Sequence, residues 1–210
     1  MPIPLQEQTV PATASAGYVK LYASNDAVPR LYSVDDAGIA LPYSQIIFTS
    51  TSADFTGTNV NTAQPVFNTT EDVLTVTANV AYLVEAYYHI HTTGTSAHTL
   101  GLLFGGTATY TNIDGTYFST NQATEVLGAL SAINFAAATV VQVSASLSSA
   151  SHHAIIINGI IRVANAGTII PQYQWSSAPG VAGVTLRGSF LRLTPIGVDT
   201  IKALPSAMWG

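Results

Sequence analysis

LVEAYYHIHTTGTSAHTLG, residues Leu83 to Gly101, begins with a regular alternation. Leu83, Glu85, Tyr87, His89 and His91 fall on one side of an extended chain. Tyr82, Val84, Ala86, Tyr88 and Ile90 fall on the other, because successive side chains of a strand point to opposite faces. The spacing predicts a long strand with one strongly apolar face, and it sets the expected fold class as all-β.

The same texture recurs on both sides of this stretch. PVFNT, DVLTVTA, YLVEAYYHIHTT, TLGLLFGGTATYT, TVVQVSASL, HAIIINGIIRVAN, GTIIPQYQWSS and GVTLRGSFLRLTPIG are rich in β-branched and aromatic residues, and turn signals such as NAGT and SAPGVAG separate them. About eight strands of this length predict a jelly-roll-like antiparallel β-sandwich over residues 65–197. Residues 119–138, STNQATEVLGALSAINFAAA, have room for a helical turn but neither a cap nor a sustained helical stripe. The Gly-Gly of LLFGGTATY precedes no helix pattern. It therefore reads as a bulge or a close backbone approach rather than a phosphate loop.

In front of the sandwich, MPIPLQEQTVPATASA holds three prolines and reads as an extended arm. GYVKLYASNDAVPRLYSVDDAG, residues 17–38, reads as a β-hairpin with Tyr18, Lys20 and Tyr22 on one face of its first strand and Val19, Leu21 and Ala23 on the other. A lone hairpin is marginal in water, so this one is expected to dock on something. Residues 1–43 therefore form an arm and anchoring hairpin, and residues 44–64, with the polar run ADFTGTNVNTAQP, form a surface connection. The tail, residues 198–210, carries Leu204, Met208 and Trp209 and is expected to pack on a neighbour.

Composition narrows the function. Charged residues make up 8 % of 210 residues, against ~25 % in an ordinary soluble protein. So few charges predict that much of the surface is buried in an assembly. Tyr82, Tyr87, Tyr88, Tyr110, Tyr117, Tyr173 and Trp175 supply aromatic area for both a core and subunit contacts. The net charge is −5, and no Lys or Arg stands between Arg30 and Arg162, so there is no basic stripe for nucleic acid. MPIPLQEQTV lacks the basic and apolar regions of a signal peptide, and no run is long enough to predict a membrane span. Without cysteine, disulfides, thiolate metal sites and thiol nucleophiles are excluded.

Candidate chemistry centres on the histidines. On a strand, His89 and His91 stand roughly 7 Å apart, a spacing that can present two nitrogens to one metal, with His98, His152 or His153 as a third ligand. Glu85 lies about 13 Å from His89 along the strand, too far to join them. A cupin-type site also places its Glu after the His pair rather than before it. The favoured reading puts these histidines in a polar inner seam or a subunit contact, with no metal and no cofactor. No G-x-S-x-G elbow occurs, and the adjacent Asp35 and Asp36 suit a turn. The chain is read as no enzyme.

PATASAGYVKLYASNDAVPRLYSVDDAGIALPY resembles the short N-terminal element of tailed-bacteriophage virion proteins. It shares their Pro/Ala lead-in, a Gly, two Leu-Tyr strands about a turn, and Asp-x-x-Gly, although NDAVP replaces the usual Asp-Gly turn. INGIIRVANAGTIIPQYQWSSAPGVAGVTLRGSFLRLTPIG resembles the closing strands of trimeric jelly-roll domains in such proteins, which are similar to the heads of complement and tumour-necrosis-factor proteins. The resemblance implies a capsid decoration or cement protein on the virion exterior, assembled in the host bacterial cytoplasm. It also implies a homotrimer bound to the phage major capsid protein. Tyr18, Leu21, Tyr22, Leu31 and Tyr32 are the expected anchor, with Met208 and Trp209 as further contacts. The alternative is a receptor-binding tail fibre or tail-tip protein recognising host glycan.

Overall fold

The computed structural model describes residues 7–8, 20–24, 31–34, 40–42, 46–68, 73–121, 126–127, 131–134 and 140–198, with side-chain surroundings over 46–68, 73–120 and 140–197. Every regular element among them is a strand. The chain divides into two compact units, Met1–Ile46 and Ile47–Gly210.

The first unit is a four-stranded sheet of β1 (Glu7–Gln8), β2 (Lys20–Ser24), β3 (Leu31–Val34) and β4 (Ala40–Pro42), in that order. β2 and β3 form the expected antiparallel hairpin, with Tyr22 opposite Tyr32 and Ala23 opposite Leu31. The arm contributes β1, which runs parallel to β2. Leu21, Tyr22, Leu31 and Tyr32 thus sit on paired backbone, whereas Tyr18, Met208 and Trp209 lie outside the described residues.

The second unit begins with β5 (Ile47–Ser50), β6 (Phe55–Thr56), β7 (Gln64–Pro65) and β8 (Leu74–Val76). The longer strands follow: β9 (Val80–Thr92), β10 (Leu100–Gly105) and β11 (Thr109–Asn121), then the short β12 (Val126–Leu127), β13 (Ser131–Asn134) and β14 (Val141–Gln142). β15 (Ser151–Asn165), β16 (Gly167–Trp175), β17 (Val184–Thr185) and β18 (Phe190–Val198) complete it. They make two antiparallel sheets packed as a sandwich. In the first sheet β9 and β15 are central neighbours. β11 follows β15 and carries β12 and β13. Along the other side of β9 run β18 and β17, which pair in turn with β5 and β6. The second sheet runs β14–β10–β16, with β7 and β8 sharing the far side of β16.

The core follows from strand parity. Tyr82, Val84, Ala86, Tyr88 and Ile90 of β9 are all buried, as the alternation predicts. They meet the inward residues of the second sheet, where Leu100 pairs with Trp175 and Leu102 with Tyr173. Phe67 meets Tyr88 edge to face at 6.0 Å, an arrangement favoured by the ring quadrupoles. β7 ends opposite Gln172 and β8 covers Gly167–Ile169, so the change-over between them falls at Pro171, whose carbonyl still accepts the Val66 N–H at 2.9 Å. That is where a residue without an N–H can sit in a strand at no cost to the ladder.

Two sequence expectations need correction, and one stretch that the sequence left open gains strands. The run 99–111 is not one strand. It leaves the second sheet at Gly105 and enters the first at Thr109, turning at Gly106 with φ of 110°. A Cβ at Gly106 would stand 2.1 Å from the Thr168 carbonyl oxygen, so the close-approach reading of this Gly-Gly was right and the continuity was wrong. Residues 119–138 hold the end of β11 and strands β12 and β13, with no helix among the described residues. Finally, residues 44–64 are more than a surface connection: β5 pairs with β18, β6 with β17, and Gln64 with Tyr173. IIFTS contributes a strand because alternating residues can be half-covered beside β18 even in a polar neighbourhood.

Candidate association face and two histidine clusters

The outward face of the first sheet is built by the same parity that fills the core. Directly opposed residues share a face, and the register draws one row across it: Phe118 opposite Ile156, Ile156 opposite Tyr87, and Tyr87 opposite Phe190. The next row runs from Asn158 to Glu85, Arg192 and Phe48. Leu83 and Ile160 oppose one another in the row beyond. Phe48 is 57 % exposed, Ile156 42 % and Leu83 37 %. Phe48 stacks on Phe190 at 5.9 Å, which holds the two rings as a single apolar plate. Ile196, at the bulge of β18, is also exposed. Glu85 and Arg192 neutralise each other within the face, Arg192 Nε donating to Glu85 Oε2 at 2.7 Å.

At one end of this face stand His89 and His91 of β9 and His152 of β15. His91 and His152 are direct cross-strand partners, and their rings stack at 4.8 Å with 7° between planes. His89 lies diagonally from His152 at 5.8 Å. Burial lowers the pKa of both His89 and His91 from its ordinary value, the neighbouring His152 lowers it further, and Asp54 partly offsets the shift. Asp54 is held from the β5–β6 turn, its Oδ1 accepting the Arg187 backbone N–H at 2.8 Å.

The other two histidines point into the sandwich. His98 is 1 % exposed and His153 is fully buried. His98 Nδ1 lies 2.6 Å from the Ser96 carbonyl oxygen, which can only accept, so the proton sits on Nδ1. In a neutral ring His98 Nε2 is then an acceptor, 3.2 Å from Ser151 Oγ. The Ser151 hydroxyl donates to it and accepts from His153 Nε2 at 3.1 Å. A single direction of donation therefore runs from His153 through Ser151 to His98 and out to Ser96. His153 Nδ1 is left bare, buried and without a partner. Burial first, and then the charges of His98, His152 and His89, push the His153 pKa down to about 4. Trp175 closes over both rings, edge-on to His98 at 5.0 Å.

These positions sort the sequence candidates. The histidines form both a polar inner seam and part of an outer face, with His98 and His153 in the first and His89, His91 and His152 in the second. His98 and His153 are thus on the wrong side of the sheet to join the His89–His91 pair, and among the described residues no group of three or more ligating side chains is placed to hold a metal ion. Of the aromatic candidates, Tyr82, Tyr88, Tyr173 and Trp175 belong to the core, while Tyr87, Tyr110 and Tyr117 are half-buried. The sequence reading did not single out Phe48, Phe190 or Ile156. Phe48 could have been found from its place in IIFTS, one residue out of phase with Thr49, which is buried. Among the described residues no helix is long and apolar enough to cross a membrane. No protein-family model matches the chain, and no curated protein matches it closely enough to count as a relative.

Proposed function

We propose that this chain is a non-enzymatic structural protein that self-associates through the outward face of its first sheet. In this reading it serves as a decoration or cement protein on the capsid exterior of a tailed bacteriophage. The observation that carries the association is the apolar surface of Phe48, Leu83 and Ile156, with its one central ion pair already neutralised. Burying a Phe, Leu or Ile side chain is worth about 1.5–3 kcal/mol each, so a partner with the same face gains from covering it.

The strand orders β5–β18–β9–β15 and β8–β16–β10–β14, with the unit's first strand beside its last, support the jelly-roll reading. The virion assignment and the trimer rest on the sequence resemblance. The N-terminal sheet then acts as the anchor to the major capsid protein, and several weak anchors on one assembly add through effective concentration.

Light scattering of the full chain tests the association: wild type is expected as an oligomer, and Phe48→Asp combined with Ile156→Asp as a folded monomer. A wild type that stays monomeric at high concentration removes the reading. Copy number per virion tests the position. A number comparable to that of the major shell protein supports decoration, and a handful of copies favours a receptor-binding tail protein.

A further inference from the structure

We propose that self-association through this face is switched off by acid: His89 and His91, whose rings lie 5.8 and 4.8 Å from the ring of His152 at one end of it, permit the contact when neutral and oppose it once protonated. The inference rests on the association reading above and adds its regulation.

The groups around the cluster offer little to neutralise added positive charge. Val184 of β17 opposes His91, Ala154 of β15 opposes His89, and Thr120 of β11 opposes Ala154. None of these carries charge. Ser189 on the β18 side gives only a hydroxyl, accepting the His89 backbone N–H at 3.0 Å. Asp54 is the acidic group whose charge reaches His89 and His91, and its carboxylate already accepts the Arg187 N–H. Glu85, further along β9, is engaged by Arg192. Arg162 sits at the other end of β15, and His153 and His98 lie beneath the sheet, where added charge would repel the outer rings as well.

Positive charges held this close repel one another even in water, and more strongly once water is displaced. His91 has already lost water from one ring nitrogen, since Nδ1 is buried without a hydrogen-bond partner. A second copy laid over the face would desolvate the cluster further and favour its neutral form. Proton binding and association therefore compete, and by linkage acid weakens the assembly. Burial already lowers the pKa of His89 and His91 within the single chain, so acid also acts on folding through this cluster, and the folded state has to be followed alongside assembly.

The test is sedimentation velocity of the full chain at fixed concentration and ionic strength, at about pH 8 and about pH 5.5, the range in which histidine titrates. Circular dichroism at each pH shows whether the chain is folded. Wild type is expected to bind itself at least about tenfold more weakly at the lower pH. The variant His89→Gln/His91→Gln/His152→Gln is expected to associate equally at both. If the triple variant does not fold, His152→Gln alone, which removes the ring common to both contacts, serves the same comparison. Wild-type assembly that is unchanged by pH overturns the switch and leaves the association reading intact. Acid dissociation that persists in the variant also overturns it, because another group is then the sensor. A monomer at both pH values overturns the association reading, and the switch with it.

Discussion

His152 and His153 are neighbours in the chain, yet one faces out of the sheet and the other faces Trp175 in the core. The outer ring stacks on His91 and lies near His89, with few charges around them. The inner ring belongs to a directed chain of hydrogen bonds through Ser151. Inside, a proton on the ring would need a donor's partner that does not exist, so protonation acts against folding. Outside, burial also lowers the pKa of the adjoining His89 and His91, so protonation of those rings opposes folding and, under the proposal, association as well. One residue type, placed on two sides of a strand, couples pH to two different equilibria.

The largest way to break the inner side is Trp175→Ala. It empties the space over both His98 and His153 and should cost about 3–5 kcal/mol, read from urea unfolding. If the loss is negligible, Trp175 does not close the inner cluster as described.

Acid comes next. The folded-state pKa of His153, about 4, lies below the unfolded value of 6.5, so the unfolded chain takes up the proton first. The stabilisation is complete above pH 6.5, falls as the pH drops from there towards 4, and does not fall further below that. The linkage is worth about 3 kcal/mol. Unfolding curves at several pH values should show this slope, and His153→Gln should flatten it. An undiminished slope in that variant would place the proton uptake elsewhere.

Ser151→Ala removes the hydroxyl shared by the two inner rings and strands the His153 Nε2–H. A destabilisation of about 1–3 kcal/mol is expected, with no change in oligomer size at neutral pH. At the small end, Ile156→Thr on the outer face should alter unfolding of the isolated chain by less than about 0.5 kcal/mol while weakening assembly in light scattering. A large unfolding effect would mean that Ile156 belongs to the core after all.

Much of this contrast can be read in the sequence, but only up to a point. The parity of LVEAYYHIH sorts β9 correctly because polar or mixed residues occupy one phase. The same reasoning stops at SHHAIIING, where apolar residues fill both phases: Ile155 and Ile157 are buried and Ile156 is exposed, and nothing local separates them. β11 was obscured for another reason. Its N-I-D-G looks like a turn, but Gly115 lies opposite Gly159 across β15, and a Cβ at Gly159 would approach the Asp114 carbonyl oxygen to 2.5 Å. These glycines serve two backbones in close approach, a requirement that exists only once both strands are paired. Likewise Ser151 meets His98 across 53 positions of chain, beyond the reach of any spacing rule.

The short strands flanking β16 bear on what could add to so weakly charged a chain. A long bare strand edge invites a foreign strand to add to it, and then another. On this border β7 has 2 residues and β8 has 3, and Pro171, which has no N–H to offer, stands at the change-over between them. No extended ribbon is offered for open-ended growth there. Under the proposed reading, encounters between copies are left to the broad faces, where symmetry can close an assembly at a fixed number of subunits.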